Sequence, residues 1–254
     1  MAIPKTALVT GAARRIGRAI AVDLAARGWS VVVHHNSSVD EASAAVADIE
    51  AAGGRAVALA ADLAREDQTK QLMADSIARF GPIGCLINNA SRFDRDEIDT
   101  ATRASWDAHI EPNLRAPFVL SQDMAAALPA DREGVIVNIL DQRVWNLTPH
   151  FLSYTLIKTG LWTLTQTLAL ALAPRIRVNG IGPGPTLKNE RQTDAQFQRQ
   201  QNSVPLRRGA SSEEVARAVR FIIESPSMTG QMIALDGGQH LGWAQPPPGS
   251  EPDE

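Results

Sequence analysis

The chain has 254 residues, 44% of them hydrophobic and 21% charged, with a net charge of -3. That is enough for one large α/β domain with a substantial core, and the slightly acidic balance argues against a general nucleic-acid binder. No apolar run approaches the roughly 20 residues of a membrane span, and the only cysteine, Cys85, sits in an apolar run and allows no intrachain disulfide. The first residues, "MAIPKTALVTG", pass into an apolar strand almost at once, leaving no room for a signal peptide. A cytoplasmic protein fits these features.

In chain order, Ala7 to Val9 reads as a buried strand, and Thr10 and Gly11 open a turn. Gly17 sits just inside a helix that carries Ile16, Ile20 and Leu24 on one face. Strand, glycine turn and helix N-terminus together make a phosphate cradle: backbone N–H groups reach the ligand, and the helix dipole favours negative charge. Ser30 to His34 is the second strand, almost pure valine. A helix from about Asp40 to Ala52 is closed by Gly53 and Gly54. Ala56 to Ala60 is the third strand, Glu66 to Phe80 a helix stopped by Gly81 and Pro82, and Gly84 to Ile87 the fourth strand, running into "NNAS". A long helical stretch from about Arg103 to Leu128 contains Pro112 and Pro117, which should break or bend it.

Val135 to Ile139 is the fifth strand, Phe151 to Leu172 a long apolar helix ended by Pro174, and Arg177 to Ile181 the sixth strand. The segment 182–208 is polar, glutamine-rich and less regular; from about 185 to 208 it reads as a lid over a substrate. Ser211 or Ser212 caps a helix through Ile223, with Glu213 and Glu214 in its first turn, and Met232 to Leu235 is the seventh strand. This alternation predicts an α/β chain: a single-domain Rossmann fold over residues 1–243, a doubly wound seven-stranded parallel sheet with helices on both faces. Residues 244–254, "AQPPPGSEPDE", are proline-rich and acidic, which predicts a disordered tail.

The dinucleotide can be read from the end of the second strand. An NAD site usually places Asp or Glu there to hold the ribose 2′-hydroxyl. Here the residues are His34, His35, Asn36, Ser37 and Ser38, with no acid before Asp40. Imidazoles, an amide and hydroxyls suit a 2′-phosphate, and Arg14, or less favourably Arg15, supplies a cation. The expected cofactor is NADP(H), held by Gly11, Arg14, Arg15, Ile16 and Gly17 at the turn and by His35, Asn36 and Ser37 beyond the second strand.

Tyr154 is the only tyrosine, and Lys158, four residues on, shares its helix face. A phenol with its ordinary pKa of about 10 is a poor acid–base group at neutral pH. A nearby ammonium and a positive nicotinamide ring favour phenolate and should lower that value.

The turn T-G-x-x-x-R-x-G (Gly11, Arg15, Gly17), the "NNAS" strand end, the Tyr154–Lys158 pair and "NGIGPGP" together resemble the short-chain dehydrogenase/reductase family over nearly all of residues 5–243. That resemblance implies several roles. Asp62, followed by Leu63, would accept from the adenine amino group. Asn89 and Ala90 would line the cofactor, with Asn side chains tying strand-end loops together. Lys158 would also hold the nicotinamide ribose, and Pro183, Gly184 and Thr186 would close over the carboxamide. Asn113 would bend its helix and anchor a water near Lys158. The two long helices would pair across a two-fold axis into a homodimer or homotetramer.

Four positions narrow the resemblance. Arg15 replaces the family's middle glycine, Ser91 replaces a glycine, Phe93 follows, and Asp141 stands thirteen residues before Tyr154, where the family usually has serine. These are similar to pteridine reductases and to the bacterial dihydromonapterin/dihydrofolate reductases. An ionised carboxylate accepts only and cannot donate to a ketone carbonyl, so Asp141 points instead to a donating ring nitrogen or a proton relay. The resemblance implies a catalytic set of Asp141, Tyr154 and Lys158 with Asn113, and a small-molecule substrate held by Arg15, Ser91, Phe93, Asp141 and Tyr154. The implied reaction is hydride transfer from NADPH to a C=N bond of a dihydropterin or dihydrofolate. A carbonyl or 3-oxoacyl reductase, or an alcohol dehydrogenase, is the alternative, and a non-catalytic NADP-binding protein the third. No metal, membrane or nucleic-acid partner is expected.

Overall fold

The structure is a computed structural model and describes residues 2–189 and 191–242. Its strands are β1 (Thr6–Val9), β2 (Ser30–His35), β3 (Arg55–Ala60), β4 (Cys85–Asn88), β5 (Gly134–Ile139), β6 (Ile176–Pro183) and β7 (Met232–Leu235). They form one parallel seven-stranded sheet in the order β3-β2-β1-β4-β5-β6-β7. The helices are α1 (Arg15–Ala25), α2 (Val39–Ala51), α3 (Glu66–Phe80), α4 (Arg103–Ile110), α5 (Ala116–Ala127), α6 (Leu152–Ala171), α7 (Asp194–Ser203) and α8 (Ser212–Glu224). The doubly wound reading holds.

The strands read as continuous apolar runs because the sheet is covered on both faces. Successive residues of β1 enter opposite cores. Ala7 and Val9 join Ile20, Leu24 and Val219, while Leu8 joins Leu72, Leu120 and Leu168. Strand order reverses between β1 and β4, both paired in parallel to neighbours on opposite sides. The carboxyl ends of these strands therefore flank the crevice where open α/β sheets take ligands.

Three segments differ from the sequence reading. The stretch from Arg103 is not one α-helix: a π-helical turn, Glu111–Arg115, joins α4 to α5. Pro112 and Pro117 lack the N–H groups an α-register needs, and the Ala116 N–H reaches back five residues to Glu111 O. The bend the prolines predict is this turn. In the polar segment, residues 194–203 form α7, because Thr193 and Gln196 make a capping box at its start; without a buried face it carries no apolar period. β6 runs on to Pro183, paired to both β5 and β7. The tail 244–254, expected to be disordered, lies outside the described residues, as does residue 190 of the expected lid.

Candidate active site

The glycine turn is built against the end of β4. Gly11 has φ +62, and a Cβ there would lie 3.0 Å from Ala90 Cα; on Gly17 it would lie 2.2 Å from Gly11 O. Only bare backbone fits this approach. Asn89 Nδ2 donates to Thr10 O (2.8 Å) and Gly11 O (3.2 Å), and Thr10 Oγ1 accepts from the N–H groups of Asn89 and Ala90 (2.9 and 3.0 Å). The expected tie between strand-end loops is present. Asn88 extends it by donating to Asn138 Oδ1 across the sheet. Arg14 stands at the N-cap of α1, which has no side-chain cap and no acid in its first turn, so the helix start offers its N–H groups to an anion.

A second brace was not anticipated. Gly11 N–H donates to His34 Nδ1 (3.0 Å), so Nε2 carries the proton and donates to Ala61 O at 3.0 Å. His34 is 2% exposed. Burial pushes its imidazole down to about 4, against the bond to Ala61, which raises it. His34 is therefore a neutral spacer between the glycine turn and the loop after β3. No spacing in the sequence distinguishes it from its neighbour. His35 differs: it is buried, and its Nδ1 has no hydrogen-bond partner.

A cleft of about 900 Å³ runs along these carboxyl ends. One end is lined by Arg14, His35, Asn36, Ser37, Asp62 and Leu63, the middle by Gly11, Ile16, Gly17, Asn89 and Ala90, and the other end by Ser91, Phe93, Asp141, Tyr154 and Lys158. Asp62 makes a local turn by accepting from Ala64 N–H (3.0 Å), and Arg14 faces Glu41 at 3.6 Å.

At the far end, Tyr154 and Lys158 project from α6, 6% and 2% exposed. Tyr154 OH donates to Asp141 Oδ2 at 3.1 Å. Asp141 Oδ1 accepts from Arg143 N–H (2.9 Å) and lies 3.6 Å from Arg143 Nε. Lys158 Nζ donates to Ile139 O (2.8 Å) and sits 5.8 Å from the Tyr154 ring centroid. Burial, then the Asp141 charge, push the phenol well above its ordinary pKa, with Arg143 and a hydrogen bond from Ser91 opposing. The expected lowering of Tyr154 is thus reversed in the protein alone, because burial disfavours the phenolate and the Asp141 carboxylate lies 3.1 Å from the hydroxyl. Burial pushes Lys158 down to about 8, with Asp141 opposing.

Asn113 sits at the bend between α4 and α5. It lies in the π-turn, where its Oδ1 accepts from Arg92 N–H and its Nδ2 donates to Arg92 O, each at 2.8 Å. Its amide ties down the loop that bears Ser91 and Phe93. Phe93 reaches the pocket wall, with one ring face stacked on Phe151 (4.5 Å, 6°) and an edge contact to Tyr154 (4.6 Å). The buried Arg143, missed in the sequence, lies 5.7 Å from the Phe93 centroid and 5.0 Å from that of Phe151.

Residues 185–189 and 191–208 border this end. Arg15 takes φ +54, a conformation suited to the glycine it replaces. Its Nη1 donates to Lys188 O (2.7 Å) and its Nη2 to Leu187 O (3.1 Å). From the segment itself, Arg191 donates to Phe93 O (2.5 Å) and Asp94 Oδ1 (3.1 Å). A smaller cavity of about 170 Å³ lies beneath, lined by Arg15, Phe93, Asp141, Arg143, Thr186 and Gln192 among others. Pro183 and Gly184 face both cavities, and Thr186 Oγ1 donates to Gly184 O (3.1 Å). Among the described residues no metal-binding cluster converges and no helix is long and apolar enough to cross a membrane.

The family model described as enoyl-(acyl carrier protein) reductase matches residues 11–240. A curated relative, the 3-oxoacyl-(acyl-carrier-protein) reductase FabG of Staphylococcus epidermidis, is 32% identical over 93% of this chain and 99% of its own length. Among solved structures, FolM Alternative dihydrofolate reductase 1 from Brucella suis, in complex with NADP, is 50% identical with a TM-score of 0.93, covering 97% of this chain and 99% of that one. A short-chain dehydrogenase from Burkholderia cenocepacia, in complex with NADP, is 34% identical with a TM-score of 0.87, covering 94% and 99%. The chain belongs to the short-chain dehydrogenase/reductase family and is an oxidoreductase of that family.

Proposed function

We propose that the protein is an NADPH-dependent reductase of a pteridine C=N bond, of dihydropterin or dihydrofolate type. The observation that carries this reading is the Tyr154 hydroxyl bonded to Asp141 at 3.1 Å, where a ketone reductase needs a donor. The likeness to FolM at 50% identity supports it.

The residues present fit NADP. The cradle at Gly11 and Gly17 excludes side chains, and the buried Nδ1 of His35 awaits a partner. Gly11, Arg15, Ile16 and Gly17 would hold the diphosphate. His35, Asn36, Ser37 and Arg14 would hold the 2′-phosphate, and Asp62 and Leu63 the adenine. Asn89 and Ala90 would flank the nicotinamide half, Lys158 its ribose, and Pro183, Gly184 and Thr186 its carboxamide. When bound, NADPH supplies the hydride.

The chain's own residues manage the proton and the substrate. Tyr154 carries its proton in the protein alone and would give it up to the ring nitrogen as negative charge builds there, with Lys158 and a positive nicotinamide ring favouring the phenolate left behind. Asp141 accepts from substrate N–H groups and orients the ring. Phe93 offers its remaining surface as a wall, beside Ser91 and Arg15. The segment 185–208 covers the site as a lid.

The test is NADPH oxidation with 7,8-dihydropterins and dihydrofolate, with Tyr154→Phe as control. Tyr154-dependent loss of reduced-nicotinamide absorbance is expected; no turnover of any pterin removes the reading. A second reading, reduction of a 3-oxoacyl thioester, is favoured by the FabG relatives. It requires ketone turnover that rises in Asp141→Ser.

A further inference from the structure

Helix α6 carries Tyr154 but begins without a side-chain cap of its own. Phe151 stands at its N-cap with φ +57, and a phenyl ring accepts no hydrogen bond from the first N–H groups. The missing acceptor comes from a distant loop. Asp96, on the segment after β4, accepts from Leu152 N–H through its backbone oxygen (3.1 Å), from Ser153 N–H through Oδ1 (3.1 Å) and from Ser153 Oγ through Oδ2 (2.6 Å). Its charge sits where the helix dipole favours an anion.

His109, from α4, completes the set. Its Nε2 accepts from Asp94 N–H (3.0 Å), so Nδ1 bears the proton and donates to Ser153 Oγ (2.7 Å). The serine hydroxyl then has one direction left for its own proton, toward Asp96. Ser105 Oγ also lies 3.1 Å from Asp96 Oδ2. Asp96, His109 and Ser153 are 3%, 1% and 0% exposed, so each link is made without water competing for it. None of the three lines the cleft described above.

What these residues brace is the reacting end. Ser153 is the residue before Tyr154, and Phe93 lies three residues before Asp96. Phe93 stacks on Phe151, the N-cap residue, and makes a T-shaped contact with Tyr154. Phenol, aromatic wall and helix start thus form one unit, joined by a single buried carboxylate.

We propose that Asp96, locked by Ser153 and His109, is a positioning residue that caps α6 from across the fold and so sets the place of the Tyr154 hydroxyl relative to Asp141 and Phe93. This rests on the reading of Tyr154 as the proton donor. The cap acts on the phenol and not on the glycine turn, so its loss should separate turnover from cofactor binding.

The test compares Asp96→Ala, Asp96→Asn and Ser153→Ala by steady-state turnover of a 7,8-dihydropterin, NADPH affinity by fluorescence, and melting temperature. Asp96→Ala is expected to lower kcat about tenfold or more, as a displaced acid does, with NADPH affinity within about twofold of the wild type. Asp96→Asn keeps the oxygen that accepts from Ser153 N–H and should restore most of kcat. Ser153→Ala removes one hydroxyl and little volume; if Asp96→Ala does not fold, a fall of several-fold in its kcat at unchanged NADPH affinity still supports the proposal. Wild-type kcat in Ser153→Ala and Asp96→Asn together with either wild-type kcat or parallel loss of NADPH affinity in Asp96→Ala overturns it. Full turnover by Tyr154→Phe would instead remove the underlying reading, so the two failures are distinct.

Discussion

Arg15 holds a backbone conformation, φ +54, that costs an ordinary residue roughly 1 kcal/mol and glycine almost nothing. What the arginine adds is a pair of hydrogen bonds to the carbonyls of Leu187 and Lys188. Two substitutions separate strain from contact. Both Arg15→Ala and Arg15→Gly lose the bonds, but only glycine relieves the strain. Arg15→Gly should therefore be the more stable of the two by about 1 kcal/mol in urea unfolding, while both raise the KM for a pterin. Equal stabilities would show that the turn carries no strain.

His34 makes a pH prediction of definite sign. Its folded pKa of about 4 lies below the ordinary value of 6.5, so between those values the unfolded chain binds a proton that the folded chain refuses. Stability is full above about pH 6.5 and falls as pH drops toward 4, by roughly 3 kcal/mol for this one group. His34→Gln lacks the titration; its unfolding free energy should depend less steeply on pH over that window than the wild type's. Identical slopes would deny His34 its neutral bridging role.

Among elements, α7 is held by polar contacts, since it buries none of its own residues. Thr193 caps α7, accepting from Gln196 N–H at 3.2 Å, and Arg191 fastens the segment to Phe93 and Asp94. Arg191→Ala is expected to speed proteolytic cleavage within 185–208 and raise substrate KM several-fold, with kcat little changed because the Tyr154–Asp141 pair is untouched. A fall in kcat at constant KM would mean the segment does more than cover. The π-turn between α4 and α5 shows the opposite dependence. Its prolines are local causes, and so its bend was readable from Pro112 and Pro117, whereas the Asn113 side chain it presents to Arg92 was not.

For the molecule as a whole, α6 leaves Leu156 and Leu170 half and largely exposed. Apolar residues at such positions suit pairing with a second copy, as the family resemblance implied. Light scattering should give a mass of at least two chains, and Leu170→Glu should reduce it; a monomeric wild type would reject the pairing.

The family resemblance supplied Asp141; residue order alone was enough for the sheet, the glycine turn and the Tyr154–Lys158 pair. Each is a local fact: a run of apolar residues, a spacing within one turn, or two side chains one helical turn apart. Folding chose the partners. His34 meets Ala61 across 27 positions, Ser153 meets Asp96 across 57, and Arg191 meets Phe93 across 98, and no local period encodes such meetings. Folding also set the proton affinities. Burial and the nearness of Asp141 raise Tyr154 where the helical neighbour Lys158 alone would lower it, because the energy of a charge depends on how much water is removed from around it and on which charge is nearest.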